Sequence, residues 1–229
     1  MTLNEMIYHR KSCRSFMGKP VDAEMIEKIL SYELKPLYPE IRVRMDIVSR
    51  GKVKCICPWT TPPVITIYSE EVEGYLENIG FLFQQMDLYL QTLGLGVCWL
   101  GLGKLNPKTT ADMTGMKFVI MLAFGHPKGN QLRHDLKGFK RKAMEKVSDK
   151  ADPRLEVARL APSAVNSQPW YFTHEGDTIH VYCSKKGSKL DAGIALAHLY
   201  VANEDNFLFF KTENITEITG YTYIGSCRI

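Results

Sequence analysis

Three short segments concentrate the residues that could do chemistry. The first is R-K-S-C-R, Arg10 to Arg14. If it is extended, Arg10, Ser12 and Arg14 share one face and offer two guanidinium forks and a hydroxyl to a single anion; a polar N-terminal edge would use the same residues. The second is G-L-G-V-C-W-L-G-L-G, Gly94 to Gly103. It lacks the lysine of a phosphate loop, because Leu102 follows Gly101, and Trp99 stands where a dinucleotide fingerprint needs its third glycine. What it offers is bare backbone near Gly101 and Gly103, able to lie against a flat ligand. The third is A-P-S-A-V-N-S-Q-P-W, Ala161 to Trp170. Pro162 ends a preceding helical pattern. Ser163 and Ala164 are small enough to let a ring approach, and the amides of Asn166 and Gln168 supply donors and acceptors.

Metal and thiol chemistry are not indicated. The six cysteines stand at 13, 55, 57, 98, 183 and 227 without a framework or zinc spacing, and no two of the six histidines form a ligand pair. Scattered cysteines and the lack of an apolar leader point to a reduced, cytoplasmic setting. No stretch is long and apolar enough for a membrane span. The formal charge of +4 is concentrated: residues 126–150 hold eight Lys or Arg against three acids. That segment is either a solvated face or an anion site, most simply for phosphate. A nucleic-acid-binding role ranks low, since aromatic residues do not interleave with the basic ones.

These segments need elements to hold them. Asp22 reads as a helix N-cap before Met25, Ile26, Ile29 and Leu30. P-P-V-I-T-I-Y, Pro62 to Tyr68, reads as a strand, and a long helix follows from about Glu71 to Leu93, stopped by Gly94. Then come V-C-W-L, a short helix capped by Asn106 with Pro107 at its first position, and the strand Phe118 to Phe124. Beyond the basic segment lie a helix from Pro153 to Leu160, a strand pair about Glu175-Gly176-Asp177, a helix from about Ser188 to Asn203, and the strand-like runs F-L-F-F and Y-T-Y-I. The order is α+β. It also repeats. A strand and then a long helix with Asn78 and Gly80 are followed later by a strand and then a helix with Asp191 and Gly193.

Together, R-K-S-C-R-S-F, G-L-G-V-C-W-L-G and A-P-S-A-V-N-S-Q-P-W resemble the three characteristic segments of the nitroreductase family, FMN-dependent α+β oxidoreductases. The resemblance implies an antiparallel or mixed central sheet flanked by helices. It implies that Arg10, Ser12 and Arg14 hold the flavin phosphate, ribityl chain and pyrimidine edge, with Arg14 or Lys11 as the cation beside the ring. It puts the backbone of Leu100 and Gly101 near the flavin N5 and O4, and Pro162, Ser163, Ala164 and Asn166 over the ring, supported by Gln168. Lys140 or Arg141 would match the second phosphate clamp. No side-chain acid or base is implied as catalytic, and no metal. Hydride would pass from NADH or NADPH through the flavin to a small electron-poor acceptor, nitroaromatic or quinone in type. A flavin-binding protein without turnover, a sensor or carrier, is the alternative.

One departure from the family pattern is informative. There the proline-serine loop follows the arginine-serine motif closely; here it arrives only at 161. Family members are homodimers that take this loop from the partner, so this chain resembles a dimer fused into one polypeptide, as in a small subgroup with this compressed layout. The expectation is one domain over 1–229, with two similar halves of about 1–150 and 151–229 and an internal pseudo-two-fold. It is a monomer mimicking a dimer, with one FMN per chain, and it leaves further pairing of whole chains open.

Overall fold

A computed structural model describes residues 1–55, 62–106, 115–130 and 132–229. Cys57 and the helix expected from Pro107 lie outside the described residues. The first half runs α1 (Leu3–Ile7), α2 (Ala23–Ser31), β1 (Val43–Val48), β2 (Val53–Lys54), β3 (Val64–Ser69), α3 (Tyr75–Thr92), β4 (Gly96–Trp99), β5 (Lys104–Leu105) and β6 (Lys117–Gly125). The second runs α4 (Glu156–Arg159), β7 (Trp170–Glu175), β8 (Thr178–Ser184), α5 (Lys189–Ala202), β9 (Leu208–Phe210) and β10 (Tyr221–Arg228).

The larger strands form two antiparallel four-stranded sheets, ordered β1-β3-β6-β4 and β7-β8-β10-β9, while β2 and β5 pair separately. Reading each half in chain order gives hairpin partner, inner strand, helix, edge strand, inner strand, so the two sheets have one topology. The fold class is therefore α+β with an internal pseudo-two-fold, as the residues suggested. Among the described residues two isolated bridges are parallel, Ser148 to Phe172 and Ser12 to Val97, the latter laying the arginine-serine segment along β4.

Local chemistry explains the boundaries. Asp22 caps α2 by accepting the Met25 N–H at 2.8 Å, and Ser188 caps α5 by accepting that of Leu190 at 3.3 Å. Gly94, at φ +79°, lets the chain leave α3 and turn into β4. The long helix starts at Tyr75 rather than Glu71, because Gly74 at φ +87° breaks the path just before it. The expected helix at 153–160 is a 3-10 turn, Pro153–Leu155, that relaxes into α4. β1 was not legible: V-R-M-D-I-V is too polar for a core strand, and it is an edge strand only partly buried.

β3 is buried along its whole length, and α5 is buried from Leu190 to Leu199. One apolar core runs through both halves, with α3 packed on α5 at its centre. α3 differs from α5 in carrying Asn78, Gln84, Gln85, Asp87 and Gln91 into that core, all buried. Buried polar groups need partners, and several of these hold another segment. Asn78 accepts the N–H groups of Leu37 and Tyr38. Gln85 brackets Lys35, accepting from its N–H at 3.1 Å and donating to its carbonyl at 2.8 Å. Gln91 accepts the Lys11 N–H at 3.0 Å and donates to Asp87.

Candidate functional site

The three segments meet in one cleft of about 390 Å³ between the halves. Ser12 and Arg14 stand on one side, held there by the bridge to β4. Cys98, Trp99, Gly101 and Leu102 supply the glycine strand and its exit. Pro162, Ser163, Ala164 and Val165 bring the loop from the second half, and Leu190, Asp191 and Ile194 of α5 close the wall. The surface is largely apolar with a few convergent polar groups, the usual make-up of a site for a flat organic ligand.

Arg10 departs from the expectation. It is 1% exposed and does not line the cleft; its Nε and Nη2 donate to Asp87 at 3.2 Å each, and Nη2 reaches the Ser12 hydroxyl at 3.4 Å. A carboxylate buried midway along α3 requires a cation, and Arg10 supplies it. Lys11 is likewise tied to α3, by its N–H on Gln91. Leu100 is buried and its N–H donates to the Met121 carbonyl at 2.9 Å, so of the two expected backbone positions Gly101 is the one on the cleft.

The polar residues of the loop work from behind it. Gln168 is buried; its Oε1 accepts the Lys142 N–H at 2.6 Å, and its Nε2 donates to the Asn166 carbonyl at 2.9 Å. Its own N–H donates to the Ser163 hydroxyl at 2.8 Å. Asn166 accepts from Arg141 and donates to the Lys140 carbonyl at 3.0 Å. Arg141 also donates to the carbonyls of Leu160 and Phe139. Lys140 and Arg141 are thus placed as the loop's clamp and not in the cleft lining. Among the described residues, the four non-glycine residues with left-handed φ are Lys140, Val165, Asn166 and Gln168, all in this loop and clamp. Val165 is the costliest, a β-branched side chain at φ +47° and 99% exposed at the cleft mouth. Such strain, about 1–3 kcal/mol, persists only where the surroundings over-determine it.

Two residues were missed. Arg133 donates to the Arg10 carbonyl at 3.1 Å, lies 4.5 Å from the Phe139 ring centroid, and has a buried Nε with no partner among the described residues. Burial and the nearby charges of Arg10 and Arg14 lower its pKa, and burial with Arg10, Arg133 and Arg159 takes Arg141 down to about 9. Arg14, Arg133 and Arg141 form no ion pair among the described residues. The basic segment was the only sequence signal for Arg133. Asp191, the second, is 3% exposed, lines the cleft, and accepts the Ala164 N–H at 3.1 and 3.3 Å on its two oxygens. Burial raises its pKa to about 6. A lone acid in the apolar run D-A-G-I-A-L-A was its signal.

A further network joins the halves under the cleft. Trp99 Nε1 donates to Gln84 Oε1 at 3.3 Å, and Gln84 Nε2 meets His198 Nε2 at 3.0 Å. The other ring nitrogen of His198 donates to the Val157 carbonyl at 2.8 Å, so Nε2 is the acceptor and the ring is neutral. Burial takes its pKa down to about 3.

A family model described as "Putative TM nitroreductase" matches residues 2–203. The chain belongs to the nitroreductase family. Among solved structures, this nitroreductase-family chain is similar to "a putative nitroreductase" from Thermotoga maritima MSB8. That match has 20% identity and a TM-score of 0.69, covering 99% of this chain and 92% of that one. This likeness shows the shared fold. A nitroreductase family protein from Clostridium difficile 630 matches at 17% identity and a TM-score of 0.47, over 64% of this chain and 96% of that one. An FMN-dependent nitroreductase from Clostridium difficile R20291 matches at 16% and 0.40, over 57% and 91%. No curated protein matches the chain.

Proposed function

We propose that this nitroreductase-family chain is an FMN-dependent oxidoreductase that carries reducing equivalents from NADH or NADPH to a small electron-poor acceptor. The observation that carries the reading is the meeting of the three segments in one cleft, although they are far apart in the sequence. The residues present fit FMN. The cleft offers apolar walls for a ring, and on its arginine-serine side lie Arg14 and, behind that segment, Arg133, cations that form no ion pair among the described residues. The partnerless buried Nε of Arg133 is a donor that a phosphate oxygen would satisfy.

By this reading Ser12, Arg14 and Arg133 hold the phosphate end and the pyrimidine edge. Ala164 and Pro162 cover the ring, and Gly101 permits close approach at its other edge. The bound flavin would supply hydride acceptance and donation. The chain's own work is to hold positive charge near the ring, exclude water with Leu190, Ile194 and Trp99, and keep the loop rigid through Gln168 and Asn166.

The other half supports a single FMN per chain. L-A-P-S-A, Leu160 to Ala164, has its counterpart in L-K-P-L-Y, Leu34 to Tyr38. There the Tyr38 ring stands where the small residues stand in the cleft. It packs edge-on to Phe209 at 5.6 Å, with Lys211 Nζ 5.8 Å from its centroid. The chain is one unit of two similar halves, about 1–150 and 151–229, a monomer that reproduces a dimer. No helix among the described residues is long and apolar enough to cross a membrane, and the described cysteines form no disulfide with one another; a cytoplasmic setting suits both.

The test is a visible absorbance spectrum of the purified protein with flavin counted per chain, followed by anaerobic NADH or NADPH. One equivalent of flavin that bleaches is the expected result. A flavin that does not bleach leaves a binding protein without turnover. A colourless protein that takes up no added FMN overturns the reading.

A further inference from the structure

Asp191 and Asn78 occupy matching places. Each sits near the start of its central helix, two residues before a glycine, and each accepts the N–H of the residue two past a proline. Asp191 accepts that of Ala164 at 3.1 Å and Asn78 that of Tyr38 at 3.0 Å. An amide does this anchoring as well as a carboxylate, and it does so without the desolvation that a buried charge suffers. Yet the amide stands in the half filled by Tyr38, and the ionisable group in the half with the open cleft. Anchoring therefore does not account for the acid at 191.

We propose that Asp191 is the cleft's proton donor, delivering the proton that completes reduction of the acceptor; this rests on the oxidoreductase reading above. For a quinone the balance is NAD(P)H + quinone + H⁺ → NAD(P)⁺ + hydroquinone. The two electrons and one hydrogen leave the dihydronicotinamide as hydride. The remaining proton comes from the Asp191 carboxyl, whose O–H bond breaks as the second hydroquinone O–H forms, and the H⁺ of the balance, relayed from solvent, reprotonates the carboxylate. The geometry suits proton delivery, since a 3%-exposed carboxyl on the cleft wall is shielded from bulk water yet lies where a ligand oxygen can reach it. Burial raises its pKa to about 6, which leaves a usable protonated fraction near neutrality. The charged and titratable groups around it are Arg14 and Cys98 in the cleft, Cys183 on β8, Lys189 on its own helix and Glu77 on α3. The last two face each other at 3.8 Å, which offsets their charges.

The experiment compares wild type with Asp191→Asn, the residue that the other half already uses for this anchor. FMN affinity is measured first, then NADPH-driven reduction of p-benzoquinone against pH, and the Asp191 carboxyl is titrated by ¹³C NMR in the protein without flavin. The expected result is that both proteins bind one equivalent of FMN. The wild-type rate should fall as pH rises through about 6. The variant's rate should be flat with pH and about 100-fold lower at pH 5, within the usual range for a general acid. A variant that keeps the wild-type pH profile, or a wild-type carboxyl that titrates at its ordinary value, overturns the proposal while leaving the flavin reading intact. Failure of both proteins to bind FMN overturns the flavin reading and the proposal with it.

Discussion

Gly80 and Gly193 face each other's helices where α3 crosses α5. A Cβ built on Gly80 would stand 2.0 Å from the Leu190 carbonyl oxygen, and one built on Gly193 would stand 2.0 Å from that of Glu77. The contacts are reciprocal, as a two-fold axis through the crossing requires. They bring the first turns of both helices backbone to backbone. Because Asn78 and Asp191 each lie two residues before these glycines, the same crossing sets both loop anchors, the one at the cleft and the one beside Tyr38.

Neither glycine tolerates a methyl group. The obstructing atom in each case is backbone, so the helices must separate. Overpacking a core usually costs about 1–3 kcal/mol, and these sites belong at the top of that range. Gly80→Ala and Gly193→Ala should each lower Tm by roughly 6–12 °C, given about 2–4 °C per kcal/mol for a chain of this size. An unchanged melting curve would mean that the crossing is looser than described.

How much of this was legible depended on the kind of residue. The cleft's small and cyclic residues, Ser12, Gly101, Pro162 and Ala164, could be read because their types restrict what backbone and ligand can do there. The buried polar face of α3 could not. Nothing local in the sequence says that Asp87 will take Arg10 away from an anion site, since that pairing spans 77 positions. Lys140 and Arg141 were legible as cations near the loop. That Arg141 grips the Leu160 carbonyl and Asn166 from behind while the Lys140 carbonyl accepts from Asn166, neither residue lining the cleft, depends on Lys140 turning left-handed at φ +52°. Asp191 was noticed as part of a repeat, but its role appears only when its counterpart Asn78 is seen holding a loop whose Tyr38 has filled the space.

The Arg10–Asp87 pair is almost wholly buried, with side chains 2% and 0% exposed. Removing one partner leaves the other charge without compensation, a loss of about 3–5 kcal/mol. Asp87→Asn should therefore lower the urea midpoint strongly. Replacing both groups, Arg10→Met with Asp87→Leu, should recover most of the loss. If the double variant is as unstable as the single one, Asp87 acts chiefly through Gln91 and Lys11.

Stability should depend on pH in two opposing ways. His198 is neutral in the fold with a pKa of about 3 against 6.5 unfolded. Its contribution is present above 6.5 and is lost as pH falls toward 3. Asp191 has a pKa of about 6 against 3.8 unfolded. Its contribution is present below 3.8 and is lost as pH rises through 6, so at neutral pH the ionised carboxyl destabilises the fold. Asp191→Asn should raise stability at pH 7 by up to about 3 kcal/mol, with the gain closing by about pH 4. His198→Gln should flatten the acid limb. Urea unfolding at several pH values checks both, and a gain for Asp191→Asn that is independent of pH would contradict the assigned titration.

Arg133 and Arg14 should separate on two ligands that differ only by a phosphate. Arg133 has the buried, partnerless Nε and sits behind the arginine-serine segment, whereas Arg14 lines the cleft itself. If Arg133 meets the phosphate, Arg133→Ala should weaken FMN about 10- to 100-fold, the worth of one charge-assisted hydrogen bond. Riboflavin, which has no phosphate, should bind the variant as it binds wild type. Arg14→Ala should weaken both ligands, because Arg14 lines the cleft itself and by the proposed reading meets the ring's edge. Fluorescence titration with FMN and riboflavin distinguishes the cases. Equal losses for both ligands in Arg133→Ala would move Arg133 from the phosphate to the support of Arg10, and Arg14 with Ser12 would then hold the anion alone.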